Sequence, residues 1–157
     1  MEEDSIIGKY HVVGYHLAIS PTNYTIELED AGQGHIMMTS EFDVAPGTGC
    51  CIPFCCLFPS CMKRKEVIDQ FRLEDDQLIL EHSTAFHGLI TCLEKGKTFR
   101  VIKLDVVSRH YVILTNPKEI FILSPEDISP SDEDRTQIKA AIAATDLALV
   151  KLSLIFL

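Results

Sequence analysis

Phe99-Arg100-Val101-Ile102-Lys103-Leu104-Asp105, His110-Tyr111-Val112-Ile113-Leu114-Thr115 and Glu119-Ile120-Phe121-Ile122-Leu123-Ser124 are the three runs whose reading decides the fold. β-Branched and aromatic side chains fill them, as suits the pleated surface of a sheet. The links between them, Val106–Arg109 and Asn116-Pro117-Lys118, are very short. Parallel neighbours need a crossover of about a dozen residues or more, so these strands form an antiparallel meander.

Upstream the same patterning continues. Tyr10–Ile19, Tyr24–Glu29 and His35–Val44 read as strands, separated by Ser20-Pro21-Thr22-Asn23 and by Asp30-Ala31-Gly32-Gln33-Gly34, both rich in turn-forming residues. Glu66–Leu73, Gln77–His82 and Phe86–Leu93 follow, the first two divided by the acidic turn Glu74-Asp75-Asp76. Downstream the period changes. Ser129-Pro130-Ser131-Asp132-Glu133-Asp134 combines cap residues, a proline and carboxylates suited to a helix N-terminus. Ile138, Ala141, Ile142, Thr145 and Leu149 then recur at helical spacing, which predicts one amphipathic helix over about residues 131–149, packed on a sheet. Val150–Leu157 alternates again and is expected as a short final strand. The order implies a mainly β fold, an eight-stranded antiparallel up-and-down barrel with one C-terminal α-helix, in a single domain over residues 1–157.

The totals suit such a domain. At 157 residues the chain can bury about two-thirds of its unfolded surface in one core. Its apolar fraction of 46% argues against disorder. The net charge of −9 argues against nucleic acid as a partner, because that contact needs a basic face to displace phosphate counterions. The acidic start, Met-Glu-Glu-Asp-Ser, leads into no apolar stretch of the secretory type, and nothing is long and apolar enough for a spanning helix. A cytoplasmic location with reduced thiols is therefore expected, with peripheral contact to a membrane as an option.

The stretch Phe99–Phe156, with its three strands, two tight turns, capped helix and short last strand, is similar to the C-terminal half of a lipocalin. It looks most like the bacterial-lipocalin and apolipoprotein-D branch. Phe99–Asp105 sits where that branch carries its sixth strand, Glu119–Ser124 resembles the eighth, and Pro125–Leu149 resembles the connection and helix. Gly8-Lys9-Tyr10 stands in the place of the family's Gly-x-Trp signature. The chain has no tryptophan, so Tyr10 would plug the closed end of the barrel. Ser124-Pro125 stands where the family's stacking arginine follows the last barrel strand. The resemblance implies a cup-shaped barrel that binds one small hydrophobic molecule, such as a fatty acid or lipid; separately, no cofactor is expected. The interior-facing candidates for that ligand are Tyr10, Val12, Tyr24, Ile26, Met37, Phe42, Phe86, Ile90, Phe99, Val101, Tyr111 and Ile113.

One segment stands apart from the strand pattern. Five of the six cysteines fall in Cys50-Cys51-Ile52-Pro53-Phe54-Cys55-Cys56-Leu57-Phe58-Pro59-Ser60-Cys61, directly before Met62-Lys63-Arg64-Lys65. The adjacent pairs suit a tetrahedral zinc site poorly, because neighbouring side chains of an extended chain point opposite ways. No C-x-x-C redox motif is present, and a disulfide between adjacent cysteines is strained. Two further readings concern apolarity: a lid over the barrel mouth, or a membrane-contacting loop over about residues 49–62. In the second, Cys50, Cys51, Cys55, Cys56 and Cys61 are acylation candidates and Lys63, Arg64 and Lys65 face anionic lipid. Cys92 stands alone on an expected strand and reads as core.

No G-x-S-x-G, P-loop, GxGxxG or HExxH occurs. The six histidines are spread over many strands, so neither a catalytic set nor a metal site is assigned. The expected function is a noncatalytic carrier of a small hydrophobic ligand. The alternatives are an isomerase or oxidoreductase on the same barrel using a cysteine or histidine, a thiol- or metal-binding module, and a barrel serving only as an interaction module.

Overall fold

A computed structural model of the chain describes residues 5–17, 21–43, 64–83, 97–106, 109–145 and 154–157. Eight strands follow one another up and down: β1 (Gly8–His16), β2 (Thr22–Gly32), β3 (His35–Asp43), β4 (Arg64–Glu74), β5 (Gln77–Ser83), β6 (Thr98–Val106), β7 (Arg109–Thr115) and β8 (Ile120–Ser124). The helix α1 (Asp132–Thr145) and a short strand β9 (Ile155–Phe156) complete the order. Each of the eight pairs antiparallel with the next, β8 returns to β1, and β1 also pairs with β2. The sheet is thus a closed antiparallel barrel. β5 pairs directly with β6; residues 86–93, expected as a further strand, lie outside the described residues, as do 146–153 of the expected helix end and last strand.

Turn chemistry fixes the register at the short-connection end. Gln33 and Gly34 link β2 to β3 with φ of 54° and 79°, and Gly32 before them has φ of 82°. Two successive left-handed residues match the right-handed twist of a hairpin, and glycine adopts them without steric cost. The Gly32 N–H also donates to Asp30 Oδ1 at 2.8 Å. Asp75, with φ of 54°, turns the chain between β4 and β5. At the opposite end lie the connections that contain residues 44–63 and 84–96.

Two apolar clusters lie on the two faces of this wall. The inner one gathers Tyr10, Val12 and Tyr15 of β1, Tyr24, Ile26 and Leu28 of β2, Ile36 and Met38 of β3, and Phe71 of β4. Leu78 and Leu80 of β5, Phe99 of β6, Val112 and Leu114 of β7, and Phe121 and Leu123 of β8 complete it with Ile6. The outer one holds Ile138 and Ile142 of α1 against Val13, Val106, Tyr111, Ile113, Ile120 and Ile122. The helix starts where the sequence places its cap. The Asp134 N–H donates to Ser131 Oγ at 3.2 Å, and Asp132, Glu133 and Asp134 fill the first turn, where the helix dipole favours negative charge. Tyr111 Oη donates to Asp134 Oδ2 at 2.7 Å, which ties the helix start to β7.

A bulge in β1 serves both clusters. Its pairing with β8 shifts between Val12 and Gly14, so Val12 and Tyr15 face inward while Val13 joins the cluster under the helix. β1 also changes partner along its length: Gly8–His11 pair with β2, whereas Gly14 and Tyr15 pair with β9. A Cβ on Gly14 would lie 3.0 Å from Ile122 Cδ1 and from Phe156 Cδ1, which explains the bare position under β9. Phe156 is in turn covered by the guanidinium of Arg135, 4.8 Å from the ring centre.

Candidate functional site

The barrel interior differs from one end to the other. Toward the short turns, Leu28, Val112 and Leu123 are 0% exposed, and so are Ile26 and Leu114 farther along their strands and Leu78, which lies directly opposite Phe99. A side chain with no exposed surface borders no space the size of a water molecule, so the interior around these residues is filled at ordinary core density. Tyr10 belongs to this cluster, and its hydroxyl donates to the Ile6 carbonyl at 2.9 Å. Burial raises the Tyr10 hydroxyl above the usual phenol range.

Toward the long connections the lining is aromatic and charged. Tyr24 stacks on Phe42 with ring centres 4.9 Å apart and meets Phe121 edge-on at 5.9 Å. Phe121 meets Phe99 at 5.8 Å, and Phe99 meets Phe71 at 6.0 Å. Five rings from β3, β2, β8, β6 and β4 thus form a continuous series across the interior, in the tilted geometries that aromatic quadrupoles favour. Tyr24 and Phe121 each retain 9% exposure, and Phe42 is only half-buried.

Polar groups share this end. Asp69 faces inward because β4 alternates regularly against β3, placing Asp69 opposite Met38 and Phe71 opposite Ile36. Ser83 faces it through a bulge in β5: Gln70 pairs with His82 but Phe71 with Leu80, so Glu81 is the extra residue. The Ser83 hydroxyl donates to Asp69 Oδ1. Burial raises the Asp69 carboxyl above the usual carboxylate range, against the opposing effects of the Ser83 hydrogen bond and the Lys97 charge. Lys97 Nζ pairs with Glu119 Oε2 at 2.5 Å and lies 5.3 Å from the centre of the Phe99 ring. Burial also pushes the Tyr24 hydroxyl well above its ordinary value, while a hydrogen bond with Ser40 opposes the shift; Glu119 and Asp69 add smaller upward effects. The group Tyr24, Ser40, Asp69, Ser83, Lys97 and Glu119 is therefore one polar cluster among the rings.

Tyr10, Val12, Tyr24, Ile26, Phe42, Phe99 and Val101 of the sequence-based set lie in or against the inner cluster. Three others need correction. Met37 alternates with the inward Ile36 and Met38 and pairs with Gln70, which turns it to the outer face. Tyr111 and Ile113 belong to the cluster under α1, because Val112 and Leu114 take the inward positions of β7. Phe86 and Ile90 lie outside the described residues, as do Cys50, Cys51, Cys55, Cys56, Cys61, Lys63 and Cys92; Arg64 and Lys65 open β4. Asp69, Ser83, Lys97, Glu119, Phe71 and Phe121 were not singled out by the sequence reading. The inward row Val67-x-Asp69-x-Phe71-x-Leu73 carried a signal for Asp69, a carboxylate in an apolar alternation. Nothing in the sequence announces the bulge that aims Ser83.

Other features are less organised. His35 pairs with Glu81 at 3.1 Å and His110 with Asp105 at 2.6 Å, two separate sites. Among the described residues no group of three His, Cys, Asp or Glu side chains is placed to hold a metal ion, and no helix is long and apolar enough to cross a membrane. Above the His11–Thr25 pair, β1 and β2 part, and a groove of about 440 Å³ opens along the seam, lined by Val12, Thr22, Tyr24 and Leu157. A second groove, of about 490 Å³, lies at the short-turn end between Ile6, Ile36, Leu73, Val101 and Lys103. No protein-family model matches the chain, and no curated protein is significantly similar to it.

Proposed function

We propose that this protein binds a small, largely apolar molecule at the long-connection end of its barrel, as a carrier rather than a catalyst. The observation that carries the reading is the series of five rings ending in the half-buried Phe42, with a polar cluster set among them. Such a lining buries apolar ligand surface, worth about 25 cal/mol per Å², and supplies a few fixed polar groups for orientation. The filled interior around Leu28, Val112 and Leu123 favours a compact ligand, one or two rings in size, over the extended fatty acid that a deep cup would take.

Saturable binding of a small uncharged fluorophore, read by its emission, tests this. Tyr24→Ala combined with Phe121→Ala should abolish binding while circular dichroism still reports a folded sheet. Binding that persists in that folded variant, or its absence in the wild-type protein, overturns the reading. The lipocalin resemblance adds support in element order alone. Membrane contact through residues 50–65 is a separable part of the proposal, resting on the apolar, cysteine-rich composition and the basic Lys63-Arg64-Lys65. Flotation with anionic liposomes tests it: association that survives deletion of residues 50–61 contradicts it.

A further inference from the structure

We infer that the ligand is a cation, an amine carried on an aromatic or similarly flat apolar body, and that Asp69 receives its ammonium group. This deepens the carrier reading above and rests on it. The polar cluster contains two carboxylates, Asp69 and Glu119, and one described ammonium, that of Lys97. Lys97 is already engaged twice, by Glu119 Oε2 at 2.5 Å and by the face of Phe99 at 5.3 Å. Among the described residues, the hydrogen-bond donor to Asp69 is the Ser83 hydroxyl, on one oxygen. An ionised carboxylate has two oxygens and about four acceptor positions, so most of its capacity is unused by described residues.

A charge placed in that situation is costly unless it is paired. The upward pull of burial on the Asp69 carboxyl expresses the same deficit. The surroundings select the sign and shape of what would relieve it. Aromatic faces attract cations through their quadrupoles, and a ring series with a carboxylate beside it favours a protonated amine on a flat apolar body. A carboxylate ligand meets the opposite situation. It would have to displace Glu119 from Lys97 and sit near Asp69, with two like charges in a poorly solvated space. The Ser83 hydroxyl holds Asp69 in place through the β5 bulge, a deviation from regular pairing whose visible result is that hydrogen bond.

The test uses three compounds of nearly equal size: 2-phenylethylamine, 2-phenylethanol and 3-phenylpropionate, titrated calorimetrically into the full chain at neutral pH. The amine should bind about ten- to a hundredfold more tightly than the alcohol, the range of one charge-assisted hydrogen bond, and the acid most weakly. Asp69→Asn should bring the amine's affinity down to that of the alcohol, and Ser83→Ala should reduce the amine's advantage. An acid that binds as tightly as the amine, or an amine advantage that survives in Asp69→Asn, overturns the inference while leaving the carrier reading standing. If none of the three binds saturably and the uncharged fluorophore also fails, both fall together. An unchanged far-ultraviolet circular dichroism spectrum and a cooperative thermal transition show that Asp69→Asn is folded.

Discussion

The two ends of the barrel interior use the same strands for different purposes. Near the short turns, Leu28, Val112 and Leu123 have no exposed surface, as in any well-packed core. Near the long connections, the rings of Tyr24, Phe99 and Phe121 and the half-buried Phe42 share the space with Asp69, Lys97 and Glu119. A fold selected for stability alone gains nothing from an inward carboxylate that has one hydrogen-bond donor among the described residues. The contrast teaches that one end holds the barrel together, while the other accepts a stability cost for a set of polar groups aimed inward.

Substitutions on the two sides should therefore separate stability from binding. Leu123→Ala, at the filled end, should cost about 2–5 kcal/mol in denaturant unfolding, since it opens a cavity that the closed wall cannot collapse. A cost below about 1 kcal/mol there would mean that the filled end is not filled. Phe42→Ala, at the other end, should cost about 1–2 kcal/mol, mostly the loss of the half-buried stack on Tyr24, and should weaken ligand binding. Tyr24→Phe removes only the hydrogen bond with Ser40, so about 1 kcal/mol is expected in the same measurement.

Asp69→Asn should move stability the other way, and only modestly. The folded-state carboxyl titrates above its unfolded value because burial disfavours the charge. Its contribution to stability is therefore fully present below the unfolded carboxylate range, and is lost as pH rises through the raised folded value. Around Asp69, Ser83 and Lys97 pull its titration down, while Glu119 pushes it up. At neutral pH the variant should melt slightly higher than wild type, and the difference should vanish on acidification below the ordinary carboxylate range. A lower melting temperature at pH 7 would show the charge to be fully compensated and would remove the contrast between the two ends.

Much of the wall was legible in the sequence because short links leave antiparallel neighbours little choice. The runs at 99–105, 110–115 and 119–124 became β6, β7 and β8 with shifts of a residue or so at their ends. The capped helix was equally readable, from Ser131 and the carboxylates after it. Facing was harder. Tyr111 through Thr115 are all buried, since α1 covers the outer face where Tyr111 and Ile113 lie, and a strand buried on both faces loses the alternation that tells inside from outside. The bulge in β1 shifts the inward row from Val12 to Tyr15, and the one in β5 shifts it from Leu80 to Ser83. A one-residue shift reverses every later side chain, and no local signal in either strand marks it. That is why the aromatic part of the site was partly foreseen and its polar part was not.

The most direct test of a filled end opposite a binding end is a methyl- and aromatic-resolved NMR titration of the full chain with 2-phenylethylamine. Expected are shifts concentrated at Tyr24, Phe42, Phe99 and Phe121, with the methyls of Leu28, Val112 and Leu123 unmoved. Shifts as large at the methyls of those three residues as at the rings would place the ligand in the deep interior and contradict the division.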